Sequence, residues 1–280
     1  MRIAMVCPFG VRVKGTVPAR VLPAARSLAA RGHQVAVLIP PWDSPEDAGR
    51  EVRAGRLRVR HLPLAGRTPV GWPLLAWRLA REAWESGAEV LHCFKPKGFS
   101  GGVHFLTHLR RGGAGLPAVV VDSDDWEGPG GWSDLAGYPL PLRWCFAWQE
   151  RWGLRHADAL TLASRTLVAR ARAVGAAPER TCYLPNALEE DHPALRAAPW
   201  AGGAAGAGRV VLLYSRFWEF APARVARRLA LLRKVVPGLE VWMAGRGHGA
   251  HEGRWRAALA AHGLADVTRW LGWVEPERLP

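Results

Sequence analysis

Hydrophobic and polar positions alternate between two periods along the first two-thirds of the chain. Short, β-branched apolar runs predict buried parallel strands at Arg2–Val6, Gln34–Ile39, Leu57–Leu62, Glu89–Phe94, Pro117–Val121, Ala159–Leu162 and Thr181–Leu184. Between them, apolar residues recur at helical spacing over Ala19–Arg31, Trp72–Glu85, Gly101–Arg111, Pro141–His156 and Arg165–Val174. In Trp72–Glu85, Leu75, Leu79 and Ala83 share one face while Arg78, Arg81 and Glu82 turn outward. Such alternation predicts an α/β fold, a parallel sheet with helices on both faces. Residues 197–208 are small and without period, which predicts a linker. The pattern then restarts, with strands at Arg209–Tyr214, Leu239–Ala244 and Val267–Leu271 and helices at Pro222–Val236 and Gly253–His262. Two Rossmann-like parallel-sheet domains are expected: 1–187, an Ala/Gly-rich linker over 188–208, and a second, incomplete domain over 209–280.

Composition changes this picture little. Of 280 residues 49% are hydrophobic and 22% charged, an ordinary globular balance. No apolar run reaches the roughly 18 residues of a membrane span, and the N-terminus enters a strand with no signal-peptide pattern. Cys7, Cys93, Cys145 and Cys182 are scattered, and are read as reduced, buried thiols of a cytoplasmic protein. Charge changes more. A net charge of +14, with Lys14, Lys95, Lys97 and Lys234 as the four lysines, favours an anionic partner: nucleic acid, phosphorylated substrate or anionic lipid. Trp72, Trp77 and Trp84 beside Arg78 and Arg81 give a helix that either lies on the inner face of an anionic membrane or packs on the sheet. A nucleic-acid-binding protein is the competing class, but no reader motif is present and the strand–helix repetition argues against it.

Chemistry is expected where the predicted strands end, because open α/β sheets bind ligands at their carboxyl edge. The strand Pro117–Val121 runs into Asp122-Ser-Asp-Asp-Trp-Glu-Gly-Pro-Gly-Gly-Trp132. Asp122, Asp124 and Asp125 offer a general base, a hydroxyl-binding carboxylate or a metal site. Their spacing is no specific metal cage, and neither metal nor other cofactor is expected. Trp126 and Trp132 suit stacking on a sugar ring, with Gly128–Gly131 permitting close approach; the competing reading is a helix cap with buried indoles. Phe94-Lys-Pro-Lys-Gly-Phe-Ser-Gly-Gly102 offers Lys95 and Lys97 for an anion at a helix start, or is a turn with solvated lysines. Gly10-Val-Arg-Val-Lys-Gly-Thr16 lacks the lysine of a phosphate-cradling loop and any Gly-x-Gly-x-x-Gly. It is either a mobile loop offering Arg12 and Lys14 to an anion or a solvated connection.

Taken together, these residues resemble the GT-B glycosyltransferases of the family 4 type, over nearly the whole chain. Leu28-Ala-Ala-Arg-Gly-His-Gln-Val-Ala-Val-Leu-Ile-Pro40 resembles the start of that family's acceptor domain, and Cys182-Tyr-Leu-Pro-Asn-Ala-Leu188 its strand and turn before the interdomain linker. Val211-Leu-Leu-Tyr-Ser-Arg216, Leu239-Glu-Val-Trp-Met-Ala-Gly-Arg-Gly-His-Gly249 and Trp270-Leu-Gly-Trp-Val-Glu-Pro-Glu-Arg-Leu-Pro280 are similar, in order, to its donor-domain series. The resemblance implies transfer of a sugar from a nucleotide-sugar to a glycan or lipid-linked acceptor, usually with retention. It implies acceptor binding by Lys14, Gly15, Lys95, Lys97, Trp126 and Glu127, donor binding by Arg216, Gly245 and Gly247, and chemistry at Asp122, Asp124 and Asp125. Three features depart from the family pattern. No lysine follows Arg216 within a few residues, aspartates stand where a histidine is frequent, and the family's Glu-x7-Glu segment, expected after Pro280, is absent from the sequence. The chain is therefore expected to be truncated and inactive alone, with a non-catalytic sugar-binding relic as the alternative.

Overall fold

The computed structural model describes residues 1–12, 15–64, 66–68, 70–110, 115–187, 209–247 and 250–274. The chain divides into two compact units, Met1–Glu189 and Glu190–Pro280. The expected linker over 188–208 lies outside the described residues, as does Lys14.

The first unit is built on eight strands: β1 Arg2–Val6, β2 Gln34–Ile39, β3 Glu51–Ala54, β4 Leu57–His61, β5 Val90–Phe94, β6 Ala118–Ser123, β7 Ala159–Leu162 and β8 Thr181–Tyr183. They lie in the order β3-β4-β2-β1-β5-β6-β7-β8, and every pair is parallel except β3–β4. The helices are α1 Leu22–Ala30, α2 Gly71–Glu85, α3 Gly98–Leu109, α4 Trp132–Leu135, α5 Leu140–His156 and α6 Arg165–Ala173. A π-helical turn, Val17–Val21, leads into α1.

Strand side chains alternate between faces, and two cores follow. Ile3, Met5, Val35, Val37 and Ile39 pack with Val17, Val21 and Ala25 from the α1 side. Ala4, Val6, Leu91, Cys93, Val119, Val121 and Leu160 pack on the other face with residues of α2, α3, α5 and α6. On α2, Leu75, Leu79 and Ala83 are buried as their spacing predicts. Two of its three indoles are turned inward as well: Trp72 meets Phe99 at 5.2 Å, and the Trp84 indole N–H donates to Thr107 Oγ1 at 3.0 Å. Helix α2 thus packs on the sheet, and Trp77 alone of the three stays exposed, beside Arg81. Cys7 and Cys93 are buried, but Cys145 and Cys182 are exposed, which corrects the expectation of four buried thiols.

The second unit has three parallel strands, β9 Arg209–Tyr214, β10 Leu239–Ala244 and β11 Thr268–Gly272, in the order β11-β10-β9. The helices α7 Pro222–Val235 and α8 His251–Ala261 complete it, over a core that includes Leu229, Val241, Met243, Trp255 and Leu259. Among the described residues no helix is long and apolar enough to cross a membrane.

The two faces of α2 predict a simple contrast. Leu79→Ala should lower unfolding free energy by about 2–5 kcal/mol, through lost burial and a residual cavity. Trp77→Ala on the outer face should change it by no more than ~0.5 kcal/mol. Urea unfolding measures both, and equal costs would contradict the packing described.

Candidate functional site

Strands β5 and β6 are parallel neighbours with Phe94 opposite Asp122, so the loops leaving their carboxyl ends meet. Lys95 turns the first loop at a φ of 57°, its N–H donating to the Asp122 carbonyl at 2.8 Å. That conformation costs a non-glycine residue about 1–3 kcal/mol, which the surrounding contacts must offset. The contacts are ionic. Lys95 Nζ lies 2.8 Å from Asp124 Oδ1 and 2.6 Å from Asp125 Oδ2, and Lys97 Nζ lies 2.5 Å from Glu127 Oε2. Both ammonium groups are buried, Lys97 over the rings of Tyr138 and Phe146 at 5.5 and 5.3 Å. Burial lowers the pKa of each. At Lys95 the carboxylates of Asp124, Asp125 and Glu127 outweigh burial and raise it; at Lys97 burial wins over Glu127.

Asp122 anchors a second network. Arg20 Nε and Nη2 donate to its two oxygens at 2.7 Å each, and the Thr161 hydroxyl donates to Oδ2 at 2.6 Å. The same guanidinium donates to Asn186 Oδ1 at 2.8 Å and the Leu184 carbonyl at 2.9 Å. Burial opposes the Arg20 charge, but Asp122 raises its pKa on balance. His92 Nε2 lies 3.3 Å from Thr161 Oγ1, and burial lowers its pKa to about 4, so the ring is neutral at pH 7. Thr16 donates to Asp124 Oδ2 at 3.3 Å. One turn before α1, the tips of β6 and β7 and the segment after β8 are thereby tied together.

Helix α5 holds the acidic loop from behind. The Glu150 carboxylate accepts the Glu127 N–H, 3.0 Å from both oxygens, and the Gly128 N–H at 2.8 Å. Burial raises its pKa to about 7 despite those donors. The neighbouring Gln149 Oε1 accepts the Gly98 N–H at 2.8 Å, so α5 fixes both loops. Trp126 folds back on its own turn: its indole N–H donates to the Pro129 carbonyl at 3.1 Å, and Arg170 covers the ring at 4.9 Å. A Cβ on Gly131 would sit 2.1 Å from the Trp126 carbonyl oxygen, so this glycine is required by the turn itself and not by ligand access.

The placement of the predicted residues follows. Asp122, Asp124, Asp125, Lys95, Lys97 and Glu127 are brought to one sheet edge. The expectation that Lys95 and Lys97 offer their charge to an incoming anion is corrected, since carboxylates of the same chain already neutralise both. Asp125 has 46% of its side chain exposed, against 12% for Asp124 and 1% for Asp122. Gly15 is exposed and its carbonyl accepts the Ala19 N–H at 2.9 Å. Arg12, expected to face an anion, is bound to Asp47 at 2.7 and 2.8 Å, and the Gly10 N–H donates to Asp43 at 2.6 Å. Sequence reasoning missed Arg20, Thr16, Gln149 and Glu150. A signal for Arg20 existed: it lies three after Val17 and one before Val21, on the apolar side, where a charge needs a buried partner.

In the second unit, Arg216 stands just past β9. Its Nε donates to Glu219 Oε1 at 2.9 Å, and the Ser215 hydroxyl donates to Glu219 Oε2 at 3.0 Å. Glu219 thus fixes the arginine in the stretch where the sequence has no lysine. A Cβ on Gly245, at φ 123°, would lie 1.9 Å from the Ser215 carbonyl oxygen, so only glycine lets the tips of β9 and β10 approach. Gly247 packs on Phe217 and His251, and the buried Trp255 indole N–H donates to the Phe217 carbonyl at 2.7 Å. Among the described residues no cluster of three or more His, Cys, Asp or Glu is placed to hold a metal ion.

The family described as "Glycosyl transferase 4-like domain" matches residues 15–187. No curated protein matches the chain. Among solved structures, the sucrose-phosphate synthase of Thermosynechococcus elongatus is similar over 99% of this chain and 71% of its own, at 17% identity and a TM-score of 0.64. HepE of Anabaena, in complex with UDP and glucose, is similar over 98% of this chain and 70% of its own, at 15% identity and a TM-score of 0.58. A glycosyltransferase from Rickettsia africae is similar over 98% and 68%, at 12% identity and a TM-score of 0.63. These likenesses show a shared fold, the GT-B type.

Two substitutions test the networks. Arg20→Met leaves Asp122 buried without its cation and should cost about 3–5 kcal/mol, much of it recovered by adding Asp122→Asn. No recovery in urea unfolding would contradict the pairing. Glu150 has a folded pKa near 7, above the usual carboxylate value, so its folded form binds the extra proton and its contribution to stability falls as pH rises between those values. His92, lowered to about 4, acts oppositely below pH ~6.5. Glu150→Gln removes only the first effect. Wild-type stability minus that of Glu150→Gln should therefore fall from pH 5 to pH 7; a flat difference would contradict the burial of a titrating carboxyl.

Proposed function

This chain belongs to the glycosyl transferase 4-like domain family, and we propose that it moves a hexose from a nucleotide-sugar to a glycan or lipid-linked acceptor with retention of configuration. Asp125 carries the reading. An acceptor hydroxyl must shed its proton as the new glycosidic bond forms, and a positioned carboxylate accepts or orients that proton. Lys95 holds Oδ2 of Asp125 while the side chain stays 46% exposed, open to the hydroxyl. Asp122 and Glu127 act as positioning residues through Arg20 and Lys97, since neither carboxylate is open to a substrate.

The leaving diphosphate needs fixed positive charge where its own charge develops. Arg216 supplies it in this proposal, with Gly245 and Gly247 keeping backbone beyond the β10 tip close to the ligand. A uridine nucleotide is the donor favoured, supported by the complex of Anabaena HepE with UDP and glucose.

Calorimetry against UDP- and GDP-sugars tests the donor half. Removing one charge-assisted hydrogen bond costs about 1.5–3 kcal/mol, so Arg216→Ala should weaken UDP-sugar binding roughly 10- to 100-fold. Equal affinity in both proteins would remove the donor assignment. Asp125→Asn should slow acceptor-dependent UDP release by about 10²–10⁴-fold with donor affinity unchanged. An unchanged rate would exclude Asp125 from the reaction.

A further inference from the structure

Helix α5 has two opposite stripes, and the fold explains only one. Inward, Gln149, Glu150, Gly153 and Leu154 are buried, and the first two hold the loops of the candidate site. Outward, Leu140, Trp144, Trp148, Arg151 and Arg155 follow one another at spacings of four, four, three and four, which places them on one side of the helix. Leu140 is 65% and Trp144 78% exposed, and Trp144 makes no hydrogen bond or ring contact among the described residues. Trp148, 49% exposed, extends the apolar stripe and is steadied edge-on by Phe105 at 5.6 Å. A bare indole beside an exposed leucine is costly to keep in water.

The charges around this area select its partner. Asp134 is already paired with Arg143, and Glu150 is buried behind the helix, so among the described residues of α4 and α5 no unpaired carboxylate stands along the stripe. Arg151 and Arg155 lie about 10 and 16 Å along the axis from Trp144 at 1.5 Å per residue. That order, apolar tip then guanidinium groups, matches the sequence of acyl chains and phosphate headgroups met by a segment entering a bilayer surface. A second copy of a chain of net charge +14 would set arginine against arginine. We infer that the outer stripe of α5, led by Leu140, Trp144 and Trp148, seats this protein on an anionic lipid surface. The contact lies on a different helix from the one expected, α2, and it stands independently of the transferase reading. Because Gln149 and Glu150 grip the site loops from the same helix, seating α5 also fixes how the acidic loop faces the bilayer.

The test is sedimentation of the full chain with equimolar phosphatidylglycerol–phosphatidylcholine vesicles and with pure phosphatidylcholine vesicles. The wild type should bind the anionic vesicles, more weakly as salt rises, and bind pure phosphatidylcholine poorly. Leu140→Ser with Trp144→Ser should reduce anionic-vesicle binding by about tenfold or more. Arg151→Glu with Arg155→Glu should do the same and abolish the preference for anionic lipid. Melting temperature and UDP-sugar calorimetry on each variant separate loss of the surface from misfolding and from failure of the donor assignment. The inference is overturned if the wild type ignores anionic vesicles, or if well-folded stripe variants bind them as it does. It is equally overturned if the wild type is a dimer that the Leu140 and Trp144 substitutions dissolve.

Discussion

An ammonium group withdrawn from water costs several kcal/mol unless carboxylates meet it where it is buried. Lys95 lives under that constraint, and much of the sheet edge is arranged to satisfy it. It follows β5 directly, while Asp124 and Asp125 follow β6, so its pairs form because those strands are neighbours in the register that sets Phe94 against Asp122. The Arg20–Asp122 pair extends the rule to the turn before α1 and, through Asn186 and Leu184, to the segment after β8. With these buried charges paired, Asp125 is the aspartate of this edge left most open to solvent.

Regular elements were legible because burial imposes a period. Arg2–Val6, Gln34–Ile39, Ala159–Leu162, Arg209–Tyr214 and Leu239–Ala244 begin and end where the apolar pattern places them. Glu51–Ala54 was invisible: all four residues are exposed, and a charged edge strand carries no apolar row to read. Helix α3 begins three residues before the predicted Gly101, because Phe99 packs into the core against Trp72 and the Ser100 hydroxyl donates to the Phe94 carbonyl.

The gathering of the candidate residues at one sheet edge was legible and their pairing was not. That Lys95, Lys97 and the aspartates leave strand ends can be read from the chain, and so can their common edge. Who pairs with whom depends on contacts between residues 30 apart for Lys95 and Asp125 and 102 apart for Arg20 and Asp122. Glycines misled for the same reason. Gly128 and Gly131 invite a ligand on paper, whereas Trp126 occupies the space beside both. In the second unit the pair Arg216–Glu219 is short-range and so within reach of the sequence, a carboxylate three residues on fixing the arginine.

The central claim, that Lys95 and Lys97 are buried structural cations, has a direct measurement because the chain holds four lysines and Lys234 is exposed. Brief acylation of native protein, read residue by residue by mass spectrometry, should label Lys234 promptly. Lys95 and Lys97 should react about 10²-fold more slowly or less, and the protection should vanish in denaturant. Labelling of Lys95 and Lys97 at the rate of Lys234 in the folded protein would contradict the account.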